Sequence, residues 1–454
     1  MDLEIKSRLY SLLTALLTPI VLLRLAIRGI KSPAYFRRWK ERFGVFTNPQ
    51  FKKSILIHAV SVGEVNAAIP LIRALMETYK DYSFVITTVT PTGSDRVQQI
   101  FGNSVFHLYL PYDLPGAVKR FLKKIKPELA VVMETEIWPN LFRFCKKRDI
   151  PIVVANARLS ELSLKGYKWV QSLARMAVNN TKFVAAQTKT DADRMIRLGC
   201  DIDKIYVVGS LKFDIIIEDD IIQKGKTIHE HCSKNNLIWI AASTHHEDEV
   251  HVLDAYKTLK SQYPQLLLII VPRHPERFQV TAQSSINKGF NTQLRSKCGL
   301  YDEDAEVFIV DTMGEMLEFY AASDIAFVGG SIANIGGHNV LEAAVFKLPV
   351  LVGPNTHNFA EITQLLHDCG GSKLVTNRDD IVENMEKLIG NAKERKKMGD
   401  AAYKLVQENR GAVALTMELV ANALKNKHLN EELQVRKYER ILEQNVLSQE
   451  ENAA

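Results

Sequence analysis

The sequence predicts an α/β fold of two doubly wound parallel sheets in tandem, preceded by an N-terminal membrane-anchor helix. Three observations lead to this prediction. The chain has 454 residues, more than a single compact domain usually holds. Ten short β-branched runs alternate with amphipathic segments of helical length, which is typical of parallel sheets covered on both faces. An uncharged apolar run near the N-terminus leads into a strongly basic stretch.

The apolar run covers residues 9–23 and would form a helix ~22 Å long. A bilayer core needs about 20 residues, a length reached only if Arg24 and Arg28 are included. Their long stems allow the charges to reach the headgroups. The run is therefore borderline between a full span and an interfacial anchor. A cleaved signal peptide is disfavoured because basic residues follow the run, and a buried core helix is the other alternative.

The basic stretch contains nine basic residues and one acidic residue, Glu41, so it carries a formal charge of +8 in a chain whose total is +6. The nine are Arg24, Arg28, Lys31, Arg37, Arg38, Lys40, Arg42, Lys52 and Lys53. The remainder of the chain is then slightly acidic, which excludes a general nucleic-acid surface. Positive charge beside an apolar helix suits anionic lipid or a phosphorylated lipid substrate. It also predicts that the body of the chain stays on the cytoplasmic side of the membrane.

The β-branched runs form two sets, separated near residues 209–226. The first set is 55–60, 84–89, 129–133, 152–155 and 183–186, and the second is 237–242, 266–271, 307–310, 325–328 and 350–352. The sequence therefore predicts an anchor at 1–30, a first domain at 31–215, a second domain at 216–425 and a charged helical tail at 426–454. Two Rossmann-like domains of this kind are expected to bind ligands at their strand carboxyl ends, around one cleft. Several enzyme classes share that architecture, so it does not decide the function.

Charged residues follow several strands of the first set. Glu64 stands at a strand-to-helix turn, and Glu134 and Glu136 come directly after another strand. Paired carboxylates at a strand end indicate acid–base or cation-stabilising chemistry. An acid that only caps a helix is the alternative for each of them. Arg158 and Lys212 follow two further strands, where cations would meet a phosphate or a carboxylate.

The second set carries the features expected of a nucleotide site. Arg273 and His274 end one strand, where the phosphate of a donor is expected, although a basic surface turn is the alternative. Gly314 and Glu315 follow another strand and offer backbone amides. A glycine-rich run at 329–342 lets the backbone approach a ligand, and the helix after it offers amides to an anion.

No metal site is predicted. His246-Glu247 lacks the second histidine of an HExxH motif, because Val250 stands at that position. Thr244 and Glu247 instead have the spacing of a helix capping box. The five cysteines are widely spaced and contain no CxxC pair, which favours a reducing setting for the body of the chain.

Ordered motifs along almost the whole chain resemble one enzyme family, the 3-deoxy-D-manno-octulosonic acid (Kdo) transferases of Gram-negative bacteria, also called the KdtA/WaaA family. The motifs are PAYFRRWKERFG, HAVSVGE, TPTGS, YLPYDLP, METEIWPN, NARLSE, GSLKFD, STH, VPRHPERF, DTMGE, FVGGS, GGHN and GPNTHNF. The resemblance implies a GT-B enzyme of the inner membrane that transfers Kdo from CMP-Kdo to a tetraacylated lipid A precursor with inversion. It implies no cofactor and no metal.

The resemblance also implies roles for individual residues. Glu64 would be the general base that takes the proton of the acceptor hydroxyl. Glu134 and Lys212 would stabilise the transition state. The residues matching the CMP-binding loops are Arg273, His274, Gly314, Glu315, Met316, Asn339, Val340, Leu341 and Glu342.

The chain departs from the family pattern at two places. Val340 stands where the family commonly has proline, and the run from His246 to Glu249 replaces Glu-Gly-Glu. A proline in a first helical turn only presets the backbone, so the site is expected to survive the first change. Two alternatives stay open: a nucleotide-sugar epimerase or hydrolase of the same fold, and a lipid-binding relative without activity.

Overall fold

The computed structural model describes residues 3–167, 170–232, 237–298 and 305–425. The chain forms two compact units. The first unit consists of two segments, one that ends at Asp214 and one that begins at Arg410. The second unit is the segment between them, Ile215–Asn409. The boundary predicted from the sequence, between residues 215 and 216, lies one residue later. The tail predicted at 426–454 lies outside the described residues.

The first unit is built on a seven-stranded parallel sheet in the order β3-β2-β1-β4-β5-β6-β7. Its elements are α1 (Leu3–Lys31), β1 (Ser54–His58), α2 (Val62–Thr78), β2 (Ser83–Thr88), α3 (Pro91–Phe101), β3 (Phe106–Tyr109), α4 (Pro115–Ile125), β4 (Pro127–Met133), α5 (Pro139–Lys146), β5 (Ile152–Ala157), α6 (Glu161–Tyr167), α7 (Gln171–Asn179), β6 (Phe183–Ala186), α8 (Lys189–Leu198) and β7 (Ile205–Val207). Side chains of β1 alternate between two buried clusters, with Leu56 in one and Ile55 and Ile57 in the other. Both faces of the sheet are therefore covered, which explains the continuous apolar runs.

The second unit has its own seven-stranded parallel sheet in the order β10-β11-β9-β8-β12-β13-β14. Its elements are α9 (Asp219–Cys232), β8 (Leu237–Thr244), α10 (His246–Gln262), β9 (Leu266–Pro272), α11 (Phe278–Asn287), β10 (Thr292–Leu294), α12 (Arg295–Cys298), β11 (Val307–Ile309), α13 (Met316–Ala321), β12 (Ile325–Val328), α14 (Leu341–Ala344), β13 (Val350–Val352), α15 (Ala360–Asp368), β14 (Ser372–Leu374), α16 (Arg378–Gly390) and α17 (Ala392–Glu408). Trp239 and Tyr256 are fully buried in its core.

The last described helix, α18 (Ala412–Lys425), belongs to the first unit, so its assignment to the second domain was wrong. Ala412, Leu419, Val420 and Ala423 pack in the same buried cluster as the core residues of β1 and α2. The carboxylate of Asp214 accepts the backbone N–H groups of Gly411 and Val413, at 2.7 and 2.6 Å. The apolar face of α18 is thus buried against a sheet that begins some 360 residues earlier in the chain.

The helix α1 exposes its apolar side chains. Residues Leu9–Ile30 are long and apolar enough to cross a membrane, and only a small share of them is buried. Leu16 is 67% exposed and Leu23 is 62% exposed. A core helix of a folded domain would bury such residues, so that alternative does not apply. The helix is therefore suited to membrane association.

Arg42 and Arg38, in the basic stretch, bind groups of the first unit. The interpretation of the whole stretch as a lipid-facing surface is therefore wrong for these two residues. The guanidinium of Arg42 lies 4.3 Å from the ring centre of Tyr109, donates to the carbonyl of Val89 and is 2% exposed. Arg38 donates to Glu41 and to the carbonyl of His107. Both guanidinium groups stabilise the chain where it enters the sheet. Arg24, Arg28, Arg37, Lys40 and Lys52 are exposed, and so is Arg38 in spite of its hydrogen bonds.

Candidate functional site

The first candidate site lies at the point where the sheet of the first unit changes direction. The strand β1 pairs in parallel with β2 on one side and with β4 on the other, although β4 comes later in the chain. In doubly wound sheets ligands bind outside the strand carboxyl ends at such a switch point. Glu64 follows β1 and Glu134 follows β4, so the fold brings both predicted carboxylates to this position.

Glu64 lies in the first turn of α2, where Ser61 is the N-cap residue. The Glu64 carboxylate accepts the backbone N–H of Val60 through Oε2 at 2.8 Å, and Ser61 Oγ lies 3.4 Å from Oε1. The side chain is 8% exposed. Burial, with the nearby negative charges of Glu134 and Glu136, raises the pKa of Glu64 to about 8, against the lowering effect of the Val60 hydrogen bond. A carboxyl group poised near neutral pH is suited to exchange protons with a substrate.

Glu134 occupies a left-handed backbone conformation, with φ of 54°. Its backbone N–H donates to the carbonyl of Ala155 at 2.9 Å, which ties the end of β4 to β5. Burial raises the pKa of Glu134, and the positive charges of Lys212 and Arg158 oppose that rise. A non-glycine residue at positive φ is held there by its surroundings, and such positions are frequent at functional sites.

Glu136 completes the acidic cluster. Its Oε2 accepts the indole N–H of Trp138 at 3.1 Å, and burial together with Glu134 raises its pKa. Lys212 reaches the same cluster on the segment after β7. That segment is fixed by Asn156, whose Oδ1 accepts the backbone N–H of Leu211 at 3.0 Å. Electrostatic interactions therefore link Glu134 to Glu64, which follows the neighbouring strand β1, and to Lys212, which follows the edge strand β7.

The second candidate site lies at the carboxyl ends of β8, β9 and β12, which are neighbours in the sheet of the second unit. Three histidines meet there. The rings of His245 and His338 stack with centroids 5.3 Å apart, and His274 meets His245 edge-on at 5.4 Å. Burial, followed by the positive field of Arg273, lowers the pKa of His338 to about 3. Burial also lowers the pKa of His245, so both rings are neutral at physiological pH.

Asp248 organises the glycine-rich run, a role that the sequence analysis missed. Its carboxylate accepts the backbone N–H groups of His245, Gly330, Ile332 and Ala333, at 2.7 to 3.1 Å. These amides are therefore not offered to a ligand anion. Gly330 has φ of 68°, and a Cβ there would lie 2.8 Å from the His338 ring. The sequence does contain a sign of this role, since Asp248 follows the STH motif by three residues. The capping box was instead predicted for Thr244 and Glu247.

That capping-box prediction was wrong by one residue. The strand β8 extends through Thr244, so α10 begins at His246 and Asp248 accepts the His245 N–H. Thr244 Oγ1 donates to Glu249 at 3.2 Å. Glu249 is 2% exposed and forms an ion pair with Arg277. The acidic run that departs from the family pattern thus holds the start of α10 in place.

The residues predicted to bind CMP lie on the loops after β9, β11 and β12. Arg273 donates its backbone N–H to the carbonyl of Thr244 at 3.0 Å. Gly314 has φ of 96°, and its Cα faces open space. The carboxylate of Glu315 is bound by Arg295 at 2.9 Å, and this bond lowers its pKa although burial alone would raise it. Met316 Sδ accepts a hydrogen bond from Ser243 Oγ at 3.3 Å, which links the β11 loop to the end of β8.

The last four predicted CMP residues surround the start of α14. The side chains of Val340 and Leu341 are completely buried, so only their backbone groups are open to a ligand. Asn339 Oδ1 accepts the Leu341 N–H, and Asn339 Nδ2 donates to Glu342, both at 3.2 Å. The amide of Leu341 is thus capped from within, so the prediction that the start of this helix offers its amides to an anion does not hold for Leu341.

Two family models match the chain. One, described as 3-deoxy-D-manno-octulosonic-acid transferase (kdotransferase), matches residues 37–215, and glycosyl transferases group 1 matches 226–405. The chain is 40% identical over 414 residues to the 3-deoxy-D-manno-octulosonic acid transferase of Haemophilus influenzae, covering 90% of this chain and 97% of that protein. It is 29% identical over 425 residues to the enzyme of the same name from Bordetella pertussis, covering 88% and 98%.

Solved structures are similar to the chain in fold. UDP-GlcNAc 2-epimerase from Neisseria meningitidis, bound to UDP-GlcNAc, superposes with a TM-score of 0.54 at 16% identity, over 82% of this chain and all of that one. At this identity the likeness concerns the fold alone. Together with the glycosyltransferase model that matches the second unit, it confirms the predicted GT-B class of two Rossmann-like domains.

Proposed function

Because this chain belongs to the 3-deoxy-D-manno-octulosonic acid transferase family, and is thus a glycosyltransferase that transfers Kdo, we propose the following reaction for it. It moves Kdo from CMP-Kdo to a tetraacylated lipid A precursor, with inversion at the anomeric carbon and Glu64 as general base. The acceptor hydroxyl oxygen bonds to the anomeric carbon, the bond from that carbon to the phosphate oxygen breaks, and CMP leaves with the electron pair. The hydroxyl proton passes to Glu64.

The buried, raised-pKa carboxyl of Glu64 is the observation that supports this proposal most. Its Oε2 is held by the Val60 amide, whereas Oε1 has only a long contact with Ser61. Oε1 is therefore the atom that takes the proton. Because burial raises the pKa of Glu64 to about 8, the carboxylate is a far stronger base than an exposed glutamate.

Glu134 and Lys212 are proposed to stabilise the charges of the transition state. A buried carboxylate favours the positive charge that develops at the anomeric carbon of a glycosyl group. The ammonium of Lys212 offsets negative charge on the leaving CMP or on the sugar carboxylate. Burial raises the pKa of Glu134 and the positive charge of Lys212 lowers it, which fits two half-buried groups of opposite charge near each other.

The second unit is proposed to bind the nucleotide. Arg273 and His274 would hold the single phosphate of CMP, and the backbone of Gly314, Glu315 and Met316 would meet the base. The segment from Asn339 to Glu342 would accept hydrogen bonds from ribose hydroxyls. One phosphate carries less charge than a diphosphate, so an arginine and imidazole N–H groups suffice to bind it.

The apolar helix α1 supports the proposal that the acceptor is a lipid. A soluble sugar nucleotide needs no apolar helix such as α1, whereas an acylated precursor resides in a bilayer. The exposed basic residues that follow α1, including Arg37 and Lys40, suit the phosphates of such a lipid. We place the protein at the bacterial inner membrane with both units on the cytoplasmic face.

An assay of CMP release with and without lipid A precursor tests the reaction. Only a transferase requires the acceptor, whereas a hydrolase or an epimerase turns over without it. Glu64→Gln should lower transfer at least ~100-fold while CMP binding by calorimetry stays within about twofold, because Gln still accepts the Val60 N–H. Glu77→Gln, at the exposed end of α2, is the matched control. Acceptor-independent CMP release, or a Glu64→Gln variant with full activity, would refute the proposal.

A further inference from the structure

The membrane helix α1 is hydrogen-bonded to two segments of the first unit, one after β3 and one after β4. Tyr10 donates its hydroxyl to Asp113 Oδ2 at 3.0 Å. The neighbouring Ser11 donates to Asn140 Oδ1 at 2.8 Å. Thr14 and Thr18, on the same helix, donate to carbonyls of the helix itself. Two adjacent hydroxyls of this mostly apolar helix are therefore directed at buried polar groups of the globular body.

Asp113 is the centre of this network. It lies between β3 and α4 and is 6% exposed. Its carboxylate accepts the backbone N–H groups of Asn140 and Leu141, both at 2.8 Å, and thereby caps the N-terminus of α5. Asn140 is completely buried and donates from Nδ2 to the Asp113 carbonyl at 2.6 Å. Tyr10, Ser11, Asp113 and Asn140 thus form one continuous set of hydrogen bonds, which runs from two half-buried hydroxyls of α1 to the buried side chains of Asp113 and Asn140.

This network is adjacent in the chain to the acidic cluster. The segment from Glu134 to Trp138 connects β4 to α5 and is held at both ends. At one end Glu134 donates its N–H to Ala155, and at the other Asp113 fixes the start of α5. Trp138 bonds Glu136 within the segment. Displacing α5 at its N-terminus would therefore move the residues that carry the carboxylates.

We propose that Asp113 is a positioning residue that couples the membrane helix, through Tyr10 and Ser11, to the placement of Glu134 and Glu136. The helix α1 then does more than tether the enzyme, since transfer runs at full rate only when the helix is docked on Asp113 and Asn140. This inference rests on the proposed function of Glu134. Buried hydrogen bonds of this kind specify one arrangement, because an unpaired member in the same place is costly.

The test removes the two hydroxyls with little change of shape. Tyr10→Phe combined with Ser11→Ala keeps helix propensity and apolar character, and Thr18→Val, whose lost bond lies within the helix, is the matched control. Hydrogen exchange of a peptide covering residues 134–141 is measured in the full-length protein. The double variant should exchange about tenfold faster there, and Thr18→Val should exchange at the wild-type rate.

Kinetics and vesicle flotation then separate positioning from tethering. The double variant should lose about tenfold in kcat, with KM for the acceptor and flotation with vesicles unchanged. Unchanged exchange at 134–141, or a defect confined to KM and flotation, would overturn the inference. Glu134→Gln is measured in parallel. If that variant keeps full activity, the role proposed for Glu134 is wrong; if it is inactive while the double variant behaves like wild type, only the coupling is wrong.

Discussion

The backbone N–H of Val60 donates to Oε2 of Glu64 over 2.8 Å, closing a short loop between the end of β1 and the first turn of α2. This bond fixes the carboxyl group and stabilises its ionised form. Burial acts in the opposite direction and is the larger effect, so the pKa of Glu64 rises to about 8. The geometry thus holds the side chain in one rotamer while leaving its ionisation sensitive to pH near neutrality.

The acidic limb of the pH–rate profile should reflect Glu64. With a pKa of about 8, only about a tenth of the side chains are ionised at pH 7, so kcat/KM should rise about tenfold to a plateau above pH 9. Glu136→Gln removes a negative charge that raises this pKa, so the limb should shift to lower pH. Glu128→Gln, at the opposite end of β4, should leave the limb in place. A limb that does not move in Glu136→Gln would contradict the assignment.

The pH dependence of stability should also change at Glu64. Its pKa is raised from 4.5 in the unfolded chain to about 8 in the folded one, so between these values the folded chain binds the extra proton. The free energy of unfolding should therefore fall as pH rises through this window, by up to ~1.4 kcal/mol per pH unit from this group. Denaturant unfolding between pH 5 and 7.5 should show a shallower fall for Glu64→Gln, and the wild-type slope for Glu77→Gln.

Asp248→Asn should weaken the second unit. In asparagine an NH₂ group replaces one of the two carboxylate oxygens, which together accept four backbone N–H groups. Some of these N–H groups then lose their acceptor in a completely buried place. We expect a loss of about 3 kcal/mol in the free energy of unfolding, measured by denaturant titration. CMP affinity should fall with it. The exposed neighbour gives the control, since Glu247→Gln should change neither quantity.

Charged substitutions on α1 should release the protein from membranes. Leu16→Asp with Leu23→Asp places two carboxylates on the exposed apolar face, and flotation with phosphatidylethanolamine–phosphatidylglycerol vesicles should fall at least tenfold. Activity should fall more on membrane-borne acceptor than on detergent-dispersed acceptor. Leu374→Asp, at a 51% exposed leucine of β14, should alter neither measurement. Equal losses on both forms of acceptor would count against the role of α1.

Ten of the fourteen strands in the described part of the chain were predictable, because a strand covered on both faces must be apolar throughout. The four that escaped, β3, β7, β10 and β14, are the sheet edges and have only three or four residues. An edge strand pairs on one side only, and its side chains need not be buried: two of the three residues of β14 are exposed.

The candidate site was predictable as far as strand ends reveal it. Glu64 and Glu134 follow β1 and β4, which are neighbours in the sheet, so their meeting follows from topology, whereas Lys212 follows the edge strand β7, which was not predicted. The sequence did not reveal which polar groups are bound by other groups of the protein and are therefore not open to a ligand. Arg42 is buried beside Tyr109, and Asp248 takes the amides that the glycine-rich run seemed to offer. Both contacts join segments about 70 to 80 residues apart, and no local pattern encodes such pairings.

The return of α18 to the first unit sets an order for biosynthesis. Residues Ile215–Asn409 form a self-contained insert, so they have everything needed to fold as soon as they leave the ribosome. The unit that starts at the N-terminus must wait, because Leu419 and Val420 of its core emerge more than 200 residues after β7. The first unit is therefore the first to be synthesised and the last to complete its fold. Until α18 is synthesised, the apolar groove in which it packs is exposed to chaperones or to the neighbouring membrane.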